Sequence, residues 1–235
     1  MIWILSLILV VVILIPTYVT LAFYLVWHYD RRNFRARACD HRPVILVHGY
    51  GGNSANFLWM QWRLRRQGFR NVYAVSYTPP HINARKLAAQ VARHVENVLA
   101  RTGAEQVDLV CHSMGGPLTR YALKNLGLAG KVNKVITLGS PHYGTRISSL
   151  FPARGAAAQM RYRSPFLEEL AEGGQCPGEA RFYCLYSELD NFVMPASTAT
   201  LADAEENLHL PYLGHCALLY SPRVARAVCE RLKAD

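Results

Sequence analysis

The sequence predicts an α/β fold, in which a mostly parallel sheet is flanked by helices, preceded by one transmembrane helix. Short apolar segments typical of buried strands alternate with longer segments of helical spacing, and this alternation indicates parallel strands joined by crossover helices. The chain has 235 residues, and residues 1–28 are almost entirely apolar. Residues 43–235 are within the size range of one domain.

The predicted elements follow one another without repeats or low-complexity tracts. A buried strand at Pro43–Val47 precedes a helix at Ser54–Gln67, which begins at an Asn53 or Ser54 cap and ends at Gly68. Strand and helix then alternate through Asn71–Tyr77, Asn83–Ala100, Gln106–Cys111, Met114–Asn125 and Lys131–Leu138.

The segment Val110–Gly116 has the layout of a nucleophile elbow, a sharp turn between a strand and a helix. Such a turn holds a serine hydroxyl, here that of Ser113, above the sheet in a strained conformation. Neighbouring residues must be small because the strand and helix backbones approach closely. Gly115 meets this requirement, and Cys111 stands where the usual pattern has glycine, so we interpret Cys111 as a small packed residue.

A serine nucleophile requires a base, and the base requires a carboxylate to orient it. In folds with this elbow the chain order is serine, acid, histidine. Asp190 lies just beyond the strand-like segment Arg181–Tyr186, and His215 lies in a turn after the segment Asn207–Leu210. We therefore predict Ser113, Asp190 and His215 as the catalytic residues.

The first predicted strand ends in the glycine-rich turn His48–Asn53. Such a turn leaves backbone N–H groups unpaired, and we expect those of Tyr50 and Met114 to form an oxyanion hole. Five further residues are predicted to support these turns by packing or hydrogen bonding: His48, Gly49, Gly51, His112 and Gly115.

From about Arg42 to its C-terminus, the chain resembles α/β-hydrolases of the bacterial lipase and carboxylesterase group. The resemblance is carried by five motifs, VHGYGG from Val47, HSMGG around Ser113, LGSPHYGT from Leu138, YSxxDxxV from Tyr186 and GHxxLL from Gly214. It implies an α/β-hydrolase fold and hydrolysis of carboxylic esters through an acyl-enzyme and without a cofactor, and lipid-derived esters are the expected substrates. It also favours Asp190 over Glu188 and Asp203, because the acid of this group falls just past the preceding strand.

Two other functions remain open at this stage. The same triad supports acyl transfer or thioester cleavage, because all three reactions share the acyl-enzyme. A non-catalytic α/β-hydrolase fold could also serve as an interaction module, although the intact triad disfavours this interpretation.

Residues 145–180 are predicted to form a crossover with a small flap, with helical segments at Gly155–Met160 and Pro165–Leu170. This region is too short for a large lid domain. Two roles, lining an acyl pocket or packing in the core, are open for Phe151, Met160, Tyr162 and Phe166.

Residues 1–28 are long enough to cross a bilayer as a helix. They lack the basic start and small-residue cleavage site of a secretory signal, so we interpret them as a single-pass membrane anchor. Residues 29–42 form a basic linker that contains Arg31, Arg32, Arg35 and Arg37. By the positive-inside rule, this flank and the catalytic domain are expected on the cytoplasmic side.

The chain has 26 basic and 16 acidic side chains, but the basic residues are scattered and no nucleic-acid-binding module is recognisable. No metal-binding motif occurs, and no cofactor is expected. A disulfide between Cys176 and Cys184 is conceivable only in an oxidising compartment, which conflicts with the predicted orientation. The sequence predicts no oligomeric state.

Overall fold

The structure, a computed structural model, describes Ala36 and residues 41–234 except Pro80 and Pro152. Six strands form one sheet in the order β2-β1-β3-β4-β5-β6, and every neighbouring pair is parallel. The predicted α/β architecture with a parallel sheet is confirmed. The strands are β1 Val44–Val47, β2 Val72–Val75, β3 Val107–His112, β4 Val132–Leu138, β5 Arg181–Tyr186 and β6 Glu206–His209.

Helices cover both faces of the sheet. They are α1 Leu58–Arg66, α2 Ala84–Thr102, α3 Gly115–Asn125, α4 Gly155–Gln159, α5 Pro165–Ala171 and α6 Pro222–Lys233. Successive strand residues point to opposite faces, so Ile45 and Val47 pack with α2 and α3, whereas Val44 and Leu46 pack with α1 and α6. The two resulting cores hold the carboxyl ends of the strands in place.

Local capping explains where the first helices begin and end. The predicted helix at Ser54–Gln67 is divided into a 3₁₀ turn, Ser54–Phe57, and α1, because Asn53 and Asn56 bond each other's backbone N–H groups around this turn. Helix α2 also begins at an asparagine cap. The side chain of Asn83 accepts a hydrogen bond from the Arg85 N–H at 2.8 Å. The helix ends at Gly103 in the left-handed conformation, as the sequence predicts.

Helix α6 is missing from the sequence-based predictions. Its buried residues Val224, Val228 and Leu232 recur at helical spacing, so the periodic signal was present in the sequence. The helix packs on the same sheet face as α1.

The segment between β4 and β5 contains the 3₁₀ turn Arg146–Leu150 followed by α4 and α5, so the two predicted helical segments are present. A bridge between Thr145 and Arg161 closes the segment into a compact flap.

Cys176 and Cys184 are both free thiols.

No helix among the described residues is long and apolar enough to span a bilayer. The predicted anchor at residues 1–28 and nearly all of the linker at residues 29–42 lie outside the described part of the chain.

Candidate active site

The elbow predicted around Ser113 is formed between β3 and α3. Ser113 has a φ of 53°, in the left-handed region that side chains other than glycine adopt at a cost in energy. Its N–H donates to the Leu138 carbonyl at 3.0 Å, and its own carbonyl accepts from the Gly116 N–H at 3.1 Å. A Cβ at Gly115 would lie 2.6 Å from the Val47 carbonyl oxygen, so β1 and α3 can approach only because this residue is glycine.

Cys111 is fully buried on β3. Its Sγ lies 3.2 Å from Thr119 Oγ1, and burial raises the pKa of the thiol to about 12. A protonated thiol in this environment is a poor nucleophile. The geometry agrees with the interpretation of Cys111 as a packed residue beneath the elbow.

Asp190 and His215 are brought together although 25 residues separate them. The Nδ1–H of His215 donates to Asp190 Oδ2 at 2.8 Å, and both side chains are buried. Asp190 Oδ1 accepts from the N–H groups of Phe192 and Val193, each at 2.9 Å. These three donors orient the carboxylate and stabilise its charge.

The other two acids near this part of the sequence point elsewhere. Glu188 is exposed and bonds His209 Nε2 at 2.5 Å, and this bond lowers the pKa of the carboxyl. Asp203 accepts from the backbone N–H of Gln175 at 2.8 Å. Neither carboxylate contacts His215, so the geometry favours Asp190.

Gly139 makes room for the Asp190–His215 pair. Its φ is 52°, and a Cβ there would lie 2.6 Å from Asp190 Oδ2 and 2.7 Å from Leu218 Cδ1. Gly139 belongs to the LGSPHYGT motif, but no role for it was predicted from the sequence. Its contacts run to residues about 50 and 80 positions further along the chain, so no local pattern reveals them.

Ser113 and His215 line one cavity of about 330 Å³ at the carboxyl ends of the strands. Tyr50 and Met114, the predicted oxyanion-hole residues, also line it. Among the described residues, no group accepts a hydrogen bond from the backbone N–H of either one. The remaining wall is largely apolar and includes Ile147, Phe151, Ala157, Met160, Val193 and Leu219, with the exposed thiol of Cys216 beside His215.

The supporting histidines are neutral and structural. His48 Nδ1 donates to the Gly49 carbonyl at 2.7 Å, Nε2 accepts from the Tyr77 N–H at 3.3 Å, and the ring stacks on Tyr77. Burial lowers the pKa of His48 to about 4. His112 Nε2 donates to the His215 carbonyl at 3.2 Å, and burial lowers its pKa to about 3. Each ring therefore holds the backbone of one turn of the predicted site.

Two glycines shape the turn that follows β1. A Cβ at Gly49 would lie 2.7 Å from Ser113 Cβ, so only glycine fits beside the serine. Gly51 has a φ of 66°, a conformation that favours glycine. The predicted supporting positions thus surround the predicted nucleophile.

Comparison with known proteins identifies the family. Residues 41–208 match the lipase (class 2) family. The chain belongs to this family. A triacylglycerol lipase of Vibrio cholerae is 32% identical over 113 residues, which cover 46% of this chain and 35% of that protein. A triacylglycerol lipase of Burkholderia plantarii is 35% identical over 122 residues, covering 47% of this chain and 32% of that protein. The chain spans about a third of the length of these curated relatives.

Solved structures show the same fold. Aspergillus fumigatus lipase B superposes with a TM-score of 0.75 at 22% identity and covers 83% of this chain and 53% of its own. A Bacillus licheniformis lipase in its mature form superposes with a TM-score of 0.72 at 17% identity and covers 85% of this chain and 96% of its own. The predicted α/β-hydrolase fold and the predicted assignment to the lipase and esterase enzymes are confirmed at the level of the family.

One residue of this class 2 lipase-family chain was missed by the sequence analysis. Arg120 on α3 is fully buried, and its guanidinium donates to the carbonyls of His142, Leu170 and Gln175 at 3.2, 3.1 and 2.8 Å. It ties the helix that follows the elbow to the turn after β4 and to the end of α5. In the sequence it is one arginine of an amphipathic helix, with no sign of burial.

The four candidate pocket residues of the flap have different surroundings. Phe151 and Met160 line the cavity. Phe166 packs in the core against Tyr121, with ring centres 5.6 Å apart. Tyr162 is 40% exposed and lies outside the cavity wall. The pocket and core interpretations therefore each describe part of this group.

Proposed function

We propose that this chain is a serine hydrolase that cleaves carboxylic esters through Ser113, His215 and Asp190. The observation that carries the proposal is the 2.8 Å hydrogen bond between His215 Nδ1 and Asp190 Oδ2. His215 and Ser113 line the same cavity. With Nδ1 donating to the carboxylate, Nε2 of the neutral imidazole is free to accept the Ser113 proton.

The reaction proceeds in two halves. Ser113 Oγ attacks the ester carbonyl while His215 Nε2 takes its proton, and the oxyanion accepts hydrogen bonds from the N–H groups of Tyr50 and Met114. The tetrahedral intermediate expels the alcohol, which receives the proton from His215. Water then attacks the acyl-enzyme with His215 again acting as the base, and the acid leaves.

The apolar cavity wall favours an acyl chain, and two relatives bear the name triacylglycerol lipase, so we propose lipid-derived esters as substrates. Acyl transfer and thioester cleavage remain alternatives because they use the same acyl-enzyme. Adding competing alcohol acceptors separates hydrolysis from transfer, because a transferase diverts the acyl group to the alcohol.

We also propose that residues 1–28 anchor the protein in a membrane, with the catalytic domain on the cytoplasmic side. Sixteen residues separate Trp27 from β1, and at roughly 3.5 Å each they reach at most about 56 Å. The domain would thus remain close to the bilayer. Accessibility of a Cys39 label in intact cells tests the orientation, and labelling from the outer side would contradict it.

The proposed chemistry is tested with a chain-length series of p-nitrophenyl esters, with and without detergent micelles, and with a fluorophosphonate probe. Ser113→Ala is expected to abolish both hydrolysis and labelling. Cys111→Ala is the matched control two residues away and is expected to keep both. If Cys111→Ala is folded but inactive while Ser113→Ala is active, a thiol mechanism replaces this one.

A further inference from the structure

The rim of the cavity exposes apolar side chains. Leu150 is 82% exposed, and Phe151 at the cavity wall is 37% exposed. Phe192 and Met194 belong to the same rim, because Thr145 Oγ1 donates to the Phe192 carbonyl and the Arg146 N–H donates to the Met194 carbonyl. We call the exposed residues Leu150, Phe151, Tyr162, Phe192 and Met194 the apolar rim. Clustered exposed apolar residues of this kind mark interaction surfaces.

Arginines stand among these apolar side chains. Arg146 and Arg163 lie over the Tyr162 ring, with Cζ at 5.8 and 5.6 Å from its centre. Arg154 is exposed at the beginning of α4. Within the described part of the chain, no carboxylate forms an ion pair with any of these three arginines.

The local charge is therefore strongly positive. No aspartate or glutamate occurs between residues 109 and 167 or between residues 191 and 202. Of the carboxylates nearest in sequence, Asp190 is buried against His215, Glu188 is bonded to His209, Glu169 is bonded to Arg85, and Glu168 is exposed on α5. The rim thus combines exposed apolar groups with uncompensated positive charge.

We propose that this rim is a docking surface for an anionic lipid interface, so that the enzyme acts on esters held in anionic membranes or micelles. The inference rests on the proposed function, which it deepens. Phosphate groups of anionic headgroups complement the arginines, and the apolar rim can enter the acyl region beside the cavity. A second copy of the chain fits poorly, because its formal net charge is +10 and the two surfaces would repel each other.

A second basic and aromatic surface provides a matched control. On α1, Trp62 is exposed, but Arg63 and Arg66 lie over its ring at 5.8 and 5.2 Å. Glu230 lies at the neighbouring groove between α1 and α6. These arginines do not adjoin the cavity, so the same charge change there leaves the proposed docking surface intact.

The test uses the full chain in mixed micelles that contain a long-chain p-nitrophenyl ester. Ether-linked phosphatidylcholine is replaced stepwise by ether-linked phosphatidylglycerol, neither of which has an ester to cleave. The wild type is expected to turn over more ester as the anionic lipid increases. Arg146→Gln with Arg163→Gln is expected to lower the apparent affinity for anionic micelles about 25-fold, at about fivefold for each charge.

Three further variants and one independent measurement complete the design. Arg146→Lys with Arg163→Lys keeps the charges and is expected to keep the response, and Arg63→Gln with Arg66→Gln is expected to keep it as well. Circular dichroism checks that the glutamine pair is folded. In the Ser113→Ala chain, hydrogen exchange at residues 146–163 is expected to slow more with anionic than with zwitterionic micelles.

The proposal is overturned if anionic lipid has no effect on the wild type, or if the α1 variant rather than the rim variant loses the response. Hydrogen exchange without any difference between the two micelle types also overturns it. Failure of the proposed function is distinguishable, because the wild type would then cleave no short soluble ester, whereas the exchange measurement would still report docking.

Discussion

The two ends of the parallel sheet differ in how the buried polar groups of the described residues are hydrogen-bonded. At the carboxyl end, Ser113 is held at a positive φ. There the buried Ser140 Oγ and His142 Nδ1 make no hydrogen bond to any described residue. At the amino end, Asn133 donates to Asp108 Oδ1 at 3.0 Å, and Arg181 donates to Asn133 Oδ1 at 3.3 Å. This row connects the beginnings of β3, β4 and β5.

Stability and chemistry therefore depend on different ends of the sheet. Polar groups at the amino end bond one another, so they hold three strands in register. At the carboxyl end the fold retains backbone strain and unpaired groups, a cost typical of functional sites. Substitutions at the carboxyl end should therefore reduce the rate, and those at the amino end should reduce the stability.

The largest expected effect is on the rate. Asp190→Asn should lower kcat about 10⁴-fold, because the amide neither fixes the His215 tautomer nor stabilises its positive charge. Steady-state hydrolysis of a soluble ester measures the loss. Glu188→Gln, two residues away on the exposed turn, is the control and should retain a near-normal rate. The reverse pattern would reassign the acid to Glu188.

The next effect is on stability and depends on pH. The folded chain keeps His48 and His112 neutral, with pKa values of about 4 and about 3. The unfolded chain protonates them below the ordinary pKa of 6.5, so stability is lost as the pH falls from 6.5 towards 4. At pH 5 the loss is about 2 kcal/mol for each histidine, at about 1.4 kcal/mol per pH unit.

Urea unfolding at pH 7 and pH 5 checks this dependence. His112→Asn is expected to remove about 2 kcal/mol from the difference between the two pH values, because asparagine does not titrate. An unchanged difference would mean that His112 takes up a proton in the folded chain.

The smallest expected effect lies at the amino end of the sheet. Asn133→Ala removes the hydrogen-bond donor of Asp108, which is buried and whose pKa is raised by that burial. The free energy of unfolding should fall by about 1 kcal/mol, with an unchanged kcat on soluble esters, because Asp108 keeps its backbone hydrogen bond to Lys134. Glu179→Ala at an exposed site should change stability by less than about 0.5 kcal/mol. A rate loss in Asn133→Ala would break the separation between the two ends.

The features predicted from the sequence are local ones. The elbow needs only the end of β3, Ser113 and two glycines, all within seven residues. The prediction of Asp190 rather than Glu188 came from the resemblance to the lipase group, in which the acid falls in the turn after this strand. Apart from α6, the strand and helix segments were predicted to within a few residues, because period and capping are properties of neighbouring residues.

Apart from α6, whose periodic signal was local, the features missed depend on contacts between distant segments. Arg120 is buried only because three carbonyls from the flap and from the turn after β4 converge on it. Phe166 and Tyr162 have similar sequence surroundings, yet one packs in the core and the other is exposed, since the path of the flap decides which side faces the sheet. The strand order likewise follows from packing across the whole domain.

The exposed thiol of Cys216 affects how chemical inhibition of this protein should be interpreted. It lies beside His215 on the cavity wall, whereas Cys111 beneath the elbow is buried and protonated. A maleimide or a disulfide reagent would therefore react at Cys216 and obstruct substrate entry without modifying Ser113, the proposed nucleophile. Loss of activity after thiol modification would then report a blocked entrance, and it would be misread as evidence for a cysteine hydrolase.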